Sequence, residues 1–228
     1  ERPFIKLFEG ETNTPLILVV DASASMGVSS VAVTKLDYAR FLAASFAYLG
    51  SRQHDAVGLV TFRDSVADFY PPGSSRIQLR SIYHTLDALR PDGRTDWQVA
   101  LEHVSRRVRK RGIVIVVSDF YCDPAVFGSG LRKLGAVGHD LVLLHLLDPA
   151  ERAPLLEKQS LLRDAETGAL MEVDPNDVRA NYADRLEDHV RALRHEATSA
   201  GAHYVRIDTD EPLDRVLLDY LRFRARRR

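Results

Sequence analysis

Three oxygen-bearing side chains follow an apolar run early in the chain. Residues 16–20 are all apolar and three of the five are β-branched, which predicts a strand that is buried on both faces. Asp21, Ser23 and Ser25 come directly after it at alternate positions, so in an extended turn they can point the same way. A carboxylate and two hydroxyls are hard ligands that suit Mg²⁺ or Mn²⁺ rather than Zn²⁺. This stretch therefore predicts a divalent cation site at the end of the strand.

Two further oxygen-bearing side chains occupy comparable places later in the chain. Thr95 lies in a polar loop over residues 91–96, and Asp119 follows a second continuous apolar run over residues 113–117. In an open α/β sheet, ligands bind outside the carboxyl ends of the strands, where the strand order reverses. Asp21, Thr95 and Asp119 all fit positions at that edge, so we expect them to lie near one another.

Apolar runs alternate with segments of helical periodicity along the rest of the chain. This alternation predicts an α/β fold with a doubly wound, mostly parallel sheet and helices on both faces. Only three residues join the predicted strands 56–62 and 66–70, so we expect one antiparallel edge strand, closed by residues 71–73. Other strands are expected over residues 3–8, 141–147 and 203–207, and helices over 35–49, 77–89, 99–108, 176–199 and 213–224, with a short helix around 131–134.

The domain organisation follows from the same pattern. We expect one domain over residues 1–228, with a hairpin insertion at about 155–174, where two short apolar segments flank a Thr-Gly pair. The chain begins with Glu1 rather than Met, which favours an upstream segment in the parent protein.

Composition excludes several classes of function. The formal net charge of the 228 residues is −1, so no overall positive field favours nucleic acid. No apolar run approaches the roughly 20 residues that span a bilayer, so no membrane contact is expected from this segment itself. The single cysteine, Cys122, is compatible with a reducing, cytoplasmic compartment, and no neighbouring His or Cys marks it as a nucleophile.

The combined pattern resembles a known family. The Asp-x-Ser-x-Ser of residues 21–25, Thr95 in a Gly-Arg-Thr-Asp loop and Asp119 after a buried strand are similar to the metal-ion-dependent adhesion site (MIDAS) of von Willebrand factor A (VWA) domains. Segments 6–9, 116–120, 147–151 and 208–213 narrow the resemblance to the bacterial family called domain of unknown function 58. The resemblance covers nearly the whole chain.

The resemblance implies a function as well as a fold. It implies a Mg²⁺ or Mn²⁺ ion held by the hydroxyls of Ser23, Ser25 and Thr95, with Asp21 and Asp119 bound directly or through water. An open coordination position would take an Asp or Glu of a partner protein, and the family is associated with MoxR-type AAA+ ATPases that act in assembly or maturation of client proteins. The domain would be a non-enzymatic interaction module, and some family members carry membrane helices further upstream.

One departure from the family pattern lies beside the expected site. Many related domains have a second glycine where this chain has Arg94. A bulky cation is therefore expected next to Thr95, where it would influence which anion the site accepts.

Three other interpretations compete with this one. The Asp-x-Ser-x-Ser string also fits an ordinary turn whose hydroxyls cap backbone N–H groups, and Thr95 or Asp96 fits a helix N-cap. A haloacid-dehalogenase-like phosphatase would use Asp21 as its nucleophile and Asp119 with Asp123 for Mg²⁺, but it needs a general acid at position 23, where a serine stands. The third is a structural domain of the same fold that holds no metal.

Overall fold

The computed structural model describes residues 14–152, 160–166, 168–173 and 175–225, without side chains for 160–163, 171–173 and 175–181. A six-stranded sheet in the order β3-β2-β1-β4-β5-β8 lies at the centre, and a separate hairpin pairs β6 with β7. All neighbouring strands of the sheet are parallel except β2 and β3. The strands are β1 (Leu16–Asp21), β2 (Val57–Phe62), β3 (Val66–Gly73), β4 (Ile113–Ser118), β5 (Asp140–Leu147), β6 (Ser160–Arg163), β7 (Leu170–Val173) and β8 (His203–Asp208).

Helices cover both faces of this sheet, which confirms the predicted doubly wound architecture. One face packs against α1, α2 and α7, and the other against α3, α4 and α6. The helices are α1 (Lys35–Arg52), α2 (Arg76–Ala88), α3 (Trp97–Arg107), α4 (Pro124–Val137), the short α5 (Pro149–Arg152), α6 (Pro175–Ser199) and α7 (Leu213–Ala225).

Strand β1 divides the core into two halves because its side chains alternate between the faces. Leu16 and Leu18 pack towards α1, whereas Ile17 and Val19 pack towards α3 and α4. Every residue of the strand is buried, as the continuous apolar run predicts for a central parallel strand. Burial of this kind contributes about 1.5–3 kcal/mol for each large aliphatic side chain.

The structure extends three elements beyond their predicted ends. Helix α1 continues past Gly50 to Arg52. Gly50 serves close packing instead of ending the helix, since a Cβ there would lie 2.9 and 3.0 Å from the side chains of Leu16 and Val57. Strand β3 continues to Gly73 rather than stopping before the prolines, since an edge strand tolerates residues that lack an N–H. Helix α4 has 14 residues, held at its ends by the Asp123 N-cap and a left-handed Gly138.

Two expectations concern the N-terminal strand and membrane contact. The strand expected over residues 3–8 lies outside the described residues. Within the part of the chain that the structure describes, there is no helix with the length and apolar character to cross a membrane.

Candidate metal centre

The predicted site residues lie at the edge of the sheet where the strand order reverses. Strands β2 and β3 lie on one side of β1, and β4, β5 and β8 lie on the other side. The strand order therefore reverses between β1 and β4, which is where ligands bind in sheets of this kind. Asp21 ends β1, and Asp119 directly follows Ser118, the last residue of β4. The parallel register of Val20 with Val117 brings these two carboxyl ends together.

Asp21 is fully buried and held by two hydrogen bonds. Its Oδ1 accepts from the Ser23 backbone N–H at 2.9 Å, and its Oδ2 accepts from the Ser118 hydroxyl at 2.6 Å. Burial, and then the nearby Asp119 carboxylate, raises the pKa of Asp21 to about 7. A carboxylate has about four lone-pair sites, so two hydrogen bonds orient Asp21 and leave acceptor capacity for another ligand.

The serine hydroxyls stand together on the turn that follows β1. Ser23 Oγ and Ser25 Oγ are 3.1 Å apart, and Ser25 belongs to a 3₁₀ turn, Ala24–Gly27. Mg²⁺ binds oxygens at about 2.0–2.1 Å in an octahedron, whose neighbouring ligands are therefore about 3 Å apart. The spacing of the two hydroxyls fits that geometry, although it equally suits the hydrogen bond that they form here.

Backbone hydrogen bonds fix the Thr95 loop against this turn. The Ala24 N–H donates to the Gly93 carbonyl and the Asp92 N–H donates to the Ala22 carbonyl, each at 3.0 Å. A Cβ on Gly27 would lie 2.9 Å from Pro91 Cγ, so the glycine permits the close approach of the two loops. The two loops therefore form one unit at the sheet edge.

Asp96, rather than Thr95, caps helix α3. The Asp96 side chain accepts from the Val99 N–H at 3.0 Å, which satisfies one of the free donors at the helix start. The Thr95 hydroxyl points instead to a carboxylate oxygen, Glu166 Oε1, at 3.0 Å. Ser25 donates to the same oxygen at 3.4 Å. Hydroxyls from two separate loops therefore converge on one point.

Asp119 forms a buried ion pair that the sequence prediction did not include. Its Oδ2 lies 2.8 Å from Lys35 Nζ, and the Lys35 and Asp119 side chains are 0% and 1% exposed. Lys35 also pairs with Glu151 and lies 5.0 Å from the centre of the Tyr121 ring. Burial alone would lower the pKa of Lys35, but the two carboxylates outweigh burial and raise it. The charge of Asp119 is thus balanced by an ammonium group within the protein.

The Glu151 segment also braces the loop that precedes α1. The Asp148 carboxylate accepts from the Ser30 N–H at 2.7 Å, and its other oxygen accepts from the Ser30 hydroxyl. Asp148 and Glu151 lie in the 147–151 segment that carries part of the family resemblance. Their packing against residues 30 and 35 gives that segment a structural role at the site.

The site residues that the prediction missed differ in how clearly the sequence indicates them. Lys35 shares the buried face of α1 with Ala39 and Leu42, and a charged side chain on an apolar face indicates a buried partner. Ser118 directly follows the β4 run. Glu166 sits in a hairpin whose position relative to the sheet edge has no local signal in the sequence.

The donor set fits a hard divalent cation. Among the described residues, no cluster of three or more His, Cys, Asp or Glu side chains is arranged as a metal site. A cation here would therefore rest on hydroxyls together with one or two aspartates, a set suited to Mg²⁺ or Mn²⁺. Ser23, Ser25, Thr95 and Asp21 have the chemistry for it, and the Ser25 and Thr95 hydroxyls point to the same carboxylate oxygen.

The neighbouring Asp123 and Cys122 have other roles. Asp123 accepts from the backbone N–H groups of Ala125 and Val126, so it caps α4 rather than adding a second acid to the site. Burial, followed by the charge of Asp119, raises the pKa of Cys122 to about 12, which disfavours the reactive thiolate.

Comparison with known proteins identifies the family of this chain. The family model described as "Protein of unknown function DUF58" matches residues 1–192. The uncharacterized protein Rv1480 of Mycobacterium tuberculosis is 27% identical over 231 residues, which cover 99% of this chain and 71% of that protein.

Solved structures agree with the observed architecture. BatB from Bacteroides thetaiotaomicron has a TM-score of 0.65 at 17% identity, covering 93% of this chain and 99% of that one. The SpRpn10 VWA domain has a TM-score of 0.50 at 12% identity, covering 88% and 90%. At these identities the likeness concerns the fold alone. The chain belongs to the DUF58 family, and its fold is that of a VWA domain.

Proposed function

We propose that this domain is a non-enzymatic interaction module that uses a divalent cation to bind an acidic side chain of a partner protein. The cation, Mg²⁺ or Mn²⁺, would be held by Ser23, Ser25 and Thr95, with Asp21 and Asp119 bound directly or through water. The observation that carries the proposal is the convergence of the Ser25 and Thr95 hydroxyls, from two separate loops, on a single carboxylate oxygen. This corner of the sheet already accommodates a carboxylate next to the hydroxyls that would hold the ion.

Charge balance supports a carboxylate as the remaining ligand. Three of the five protein ligands would be neutral hydroxyls, and Lys35, which Asp119 shares with Glu151, takes up part of the charge of Asp119. The five ligands would therefore neutralise the ion incompletely, which favours a direct bond to an incoming carboxylate. Arg94 is exposed and precedes Thr95, so it adds positive charge at the rim of the site.

The partner and the cellular setting are proposals that rest on the family resemblance. We propose a MoxR-type AAA+ ATPase, or a client protein of that ATPase, as the protein that presents the Asp or Glu. We also propose a cytoplasmic location for the domain. Titration of the domain with the purified ATPase, in Mg²⁺ and again in chelator, tests the partnership. Absence of binding in both conditions would reject the partner, and equal binding in both would reject its dependence on the metal.

Two observations on the described residues argue against the phosphatase alternative. Ser23 bonds to Ser25 where that reaction needs a general acid, and Asp123 is an N-cap. The module that holds no metal remains the competing hypothesis, and metal binding separates the two.

Calorimetric titration of Mg²⁺ and Mn²⁺ into chelator-treated protein is the decisive experiment. We expect saturable binding to the wild type and its loss in Ser23→Ala and Ser25→Ala, because each substitution removes one hydroxyl and little volume. Ser45→Ala is the matched control, since the Ser45 hydroxyl donates to the Phe41 carbonyl of its own helix, at 2.8 Å. Absence of binding to the wild type, or undiminished binding to both site variants, would refute the metal site.

A further inference from the structure

Glu166 brings a carboxylate of this chain to the proposed metal site. It lies 71 residues from Thr95 and 141 from Ser25, yet one of its oxygens, Oε1, accepts from both hydroxyls, at 3.0 and 3.4 Å. The Glu166 side chain is partly buried there. These contacts belong to the hairpin insertion and not to the sheet that builds the rest of the site.

The turn between β6 and β7 holds Glu166 in a defined backbone position. Arg163 pairs with Leu170, and inside that pair the Asp164 N–H donates to the Ala169 carbonyl at 2.9 Å. The Glu166 N–H donates to the Asp164 carboxylate at 3.0 Å, and Gly168 takes the left-handed conformation, with φ of +70°. The carboxylate is therefore presented from a closed, hydrogen-bonded turn.

The distances around Glu166 Oε1 match those of a ligand that completes the coordination of the ion. Neighbouring ligands of octahedral Mg²⁺ are separated by about 3 Å. Ser23 Oγ to Ser25 Oγ is 3.1 Å, and Thr95 Oγ1 to Glu166 Oε1 is 3.0 Å. Ser25 Oγ, which joins the two pairs, lies 3.4 Å from Glu166 Oε1. Oxygens from three segments of the chain are thus 3.0–3.4 Å apart, and the carboxylate comes from the hairpin.

We propose that Glu166 is a metal ligand supplied by the chain itself, and that it closes the site until an acidic side chain of a partner displaces it. This inference rests on the proposed function, because it assigns an internal occupant to the position that the partner would take. A tethered carboxylate competes at a high effective concentration, so it strengthens metal binding and weakens binding of any external carboxylate. The hairpin insertion would then regulate access to the site.

Glu166→Gln in the full chain tests the proposal, with Mn²⁺ as the metal probe and glutarate as the carboxylate probe. The amide keeps the shape of the side chain but is a weaker ligand than a carboxylate. Glu102→Gln is the matched control, because Glu102 is exposed and pairs with Arg106 on its own helix. We expect Glu166→Gln to weaken Mn²⁺ binding by about tenfold or more, to add about one exchangeable water per bound Mn²⁺ in proton relaxation, and to strengthen glutarate binding to the Mn²⁺ form.

Glu166→Asp distinguishes direct ligation from a general effect of charge. It keeps the charge but shortens the side chain by one methylene, so direct ligation predicts weaker Mn²⁺ binding and an added water here as well. Wild-type behaviour of Glu166→Asp, or of Glu166→Gln in all three measurements, would overturn this inference and leave the proposed function standing. Absence of Mn²⁺ binding to both the wild type and Glu166→Gln would overturn the proposed function and this inference together.

Discussion

Replacing Lys35 by methionine removes the one charge that balances Asp119 and Glu151 in the interior. Methionine fills a similar volume but cannot donate to either carboxylate. Lys35 is 0% exposed and Asp119 is 1% exposed, so water does not replace the lost partner. We therefore expect Lys35→Met to destabilise the metal-free protein strongly.

The expected loss follows from the cost of leaving a buried charge without its partner. Such a substitution costs about 3–5 kcal/mol in the free energy of unfolding. For a chain of this size, each kcal/mol lowers Tm by about 2–4 °C, which gives a decrease of roughly 6–20 °C. A divalent cation beside Asp119 would supply the missing positive charge, so Mg²⁺ should restore part of the loss. Without the competing ammonium group, the variant should also bind Mg²⁺ about tenfold more tightly, equivalent to about 1.4 kcal/mol.

Urea unfolding with chelator and with Mg²⁺ measures both effects in one experiment. Lys133→Met is the matched control, because Lys133 lies on the exposed face of α4. The double variant Lys35→Met/Glu151→Gln should regain part of the lost stability, since it leaves one buried carboxylate fewer. A loss below about 1 kcal/mol in Lys35→Met, or no extra stabilisation of that variant by Mg²⁺ relative to the wild type, would refute the charge-balance argument.

Three other variants distinguish effects on Mg²⁺ binding from effects on the stability of the core. Ser118→Ala removes the 2.6 Å hydrogen bond to Asp21 and the 2.9 Å bond that the same hydroxyl accepts from the Phe120 N–H, so we expect a stability loss of about 1.5–3 kcal/mol in urea and weaker Mg²⁺ binding by calorimetry. Unchanged Mg²⁺ binding would show that the hydroxyl does not orient Asp21. Gly27→Ala places a Cβ 2.9 Å from Pro91 Cγ and should separate the two loops. We expect the free energy of Mg²⁺ binding to fall by more than the free energy of unfolding, and a wild-type Mg²⁺ titration would contradict this. Phe46→Ala creates a cavity in a fully buried position and should cost about 3–5 kcal/mol in urea without changing Mg²⁺ affinity of the folded protein; an altered affinity would mean that the site depends on that half of the core.

The sequence predicted the sheet well because its strands are continuous apolar runs. The apolar segments around Leu18 and Ile115 predict buried strands, and both are fully buried strands at the centre of the sheet. Helix α4 was underestimated because glycines such as Gly130 lower helix propensity. That glycine permits close packing of α4 against α3, since a Cβ there would lie 2.5 Å from Leu101 Cδ1. Helix propensity therefore gave the wrong helix length where close contact between two helices requires a glycine.

The site was predicted in part, and the division has a physical reason. Asp21 and Asp119 follow buried strands, so local sequence places them at the sheet edge. Lys35 pairs with a residue 84 positions away, and Glu166 reaches the site from an insertion. Neither contact is set by local spacing, because each depends on how separate elements pack. Residues that follow buried strands could thus be assigned to the sheet edge from the sequence, whereas residues that reach it through contacts between distant elements could not.

Lys35 and Glu166, two charged groups that the sequence did not predict, act on opposite sides of the same charge balance. Lys35 offsets Asp119 from within the core, which leaves the proposed cation dependent on Asp21 and on one further carboxylate. If Glu166 is that carboxylate, its replacement by an Asp or Glu of a partner exchanges like for like, and the net charge of the site does not change. Electrostatics would then favour neither occupant, so selection of a partner would depend on the fit of its surface around the site and on the work of moving the hairpin.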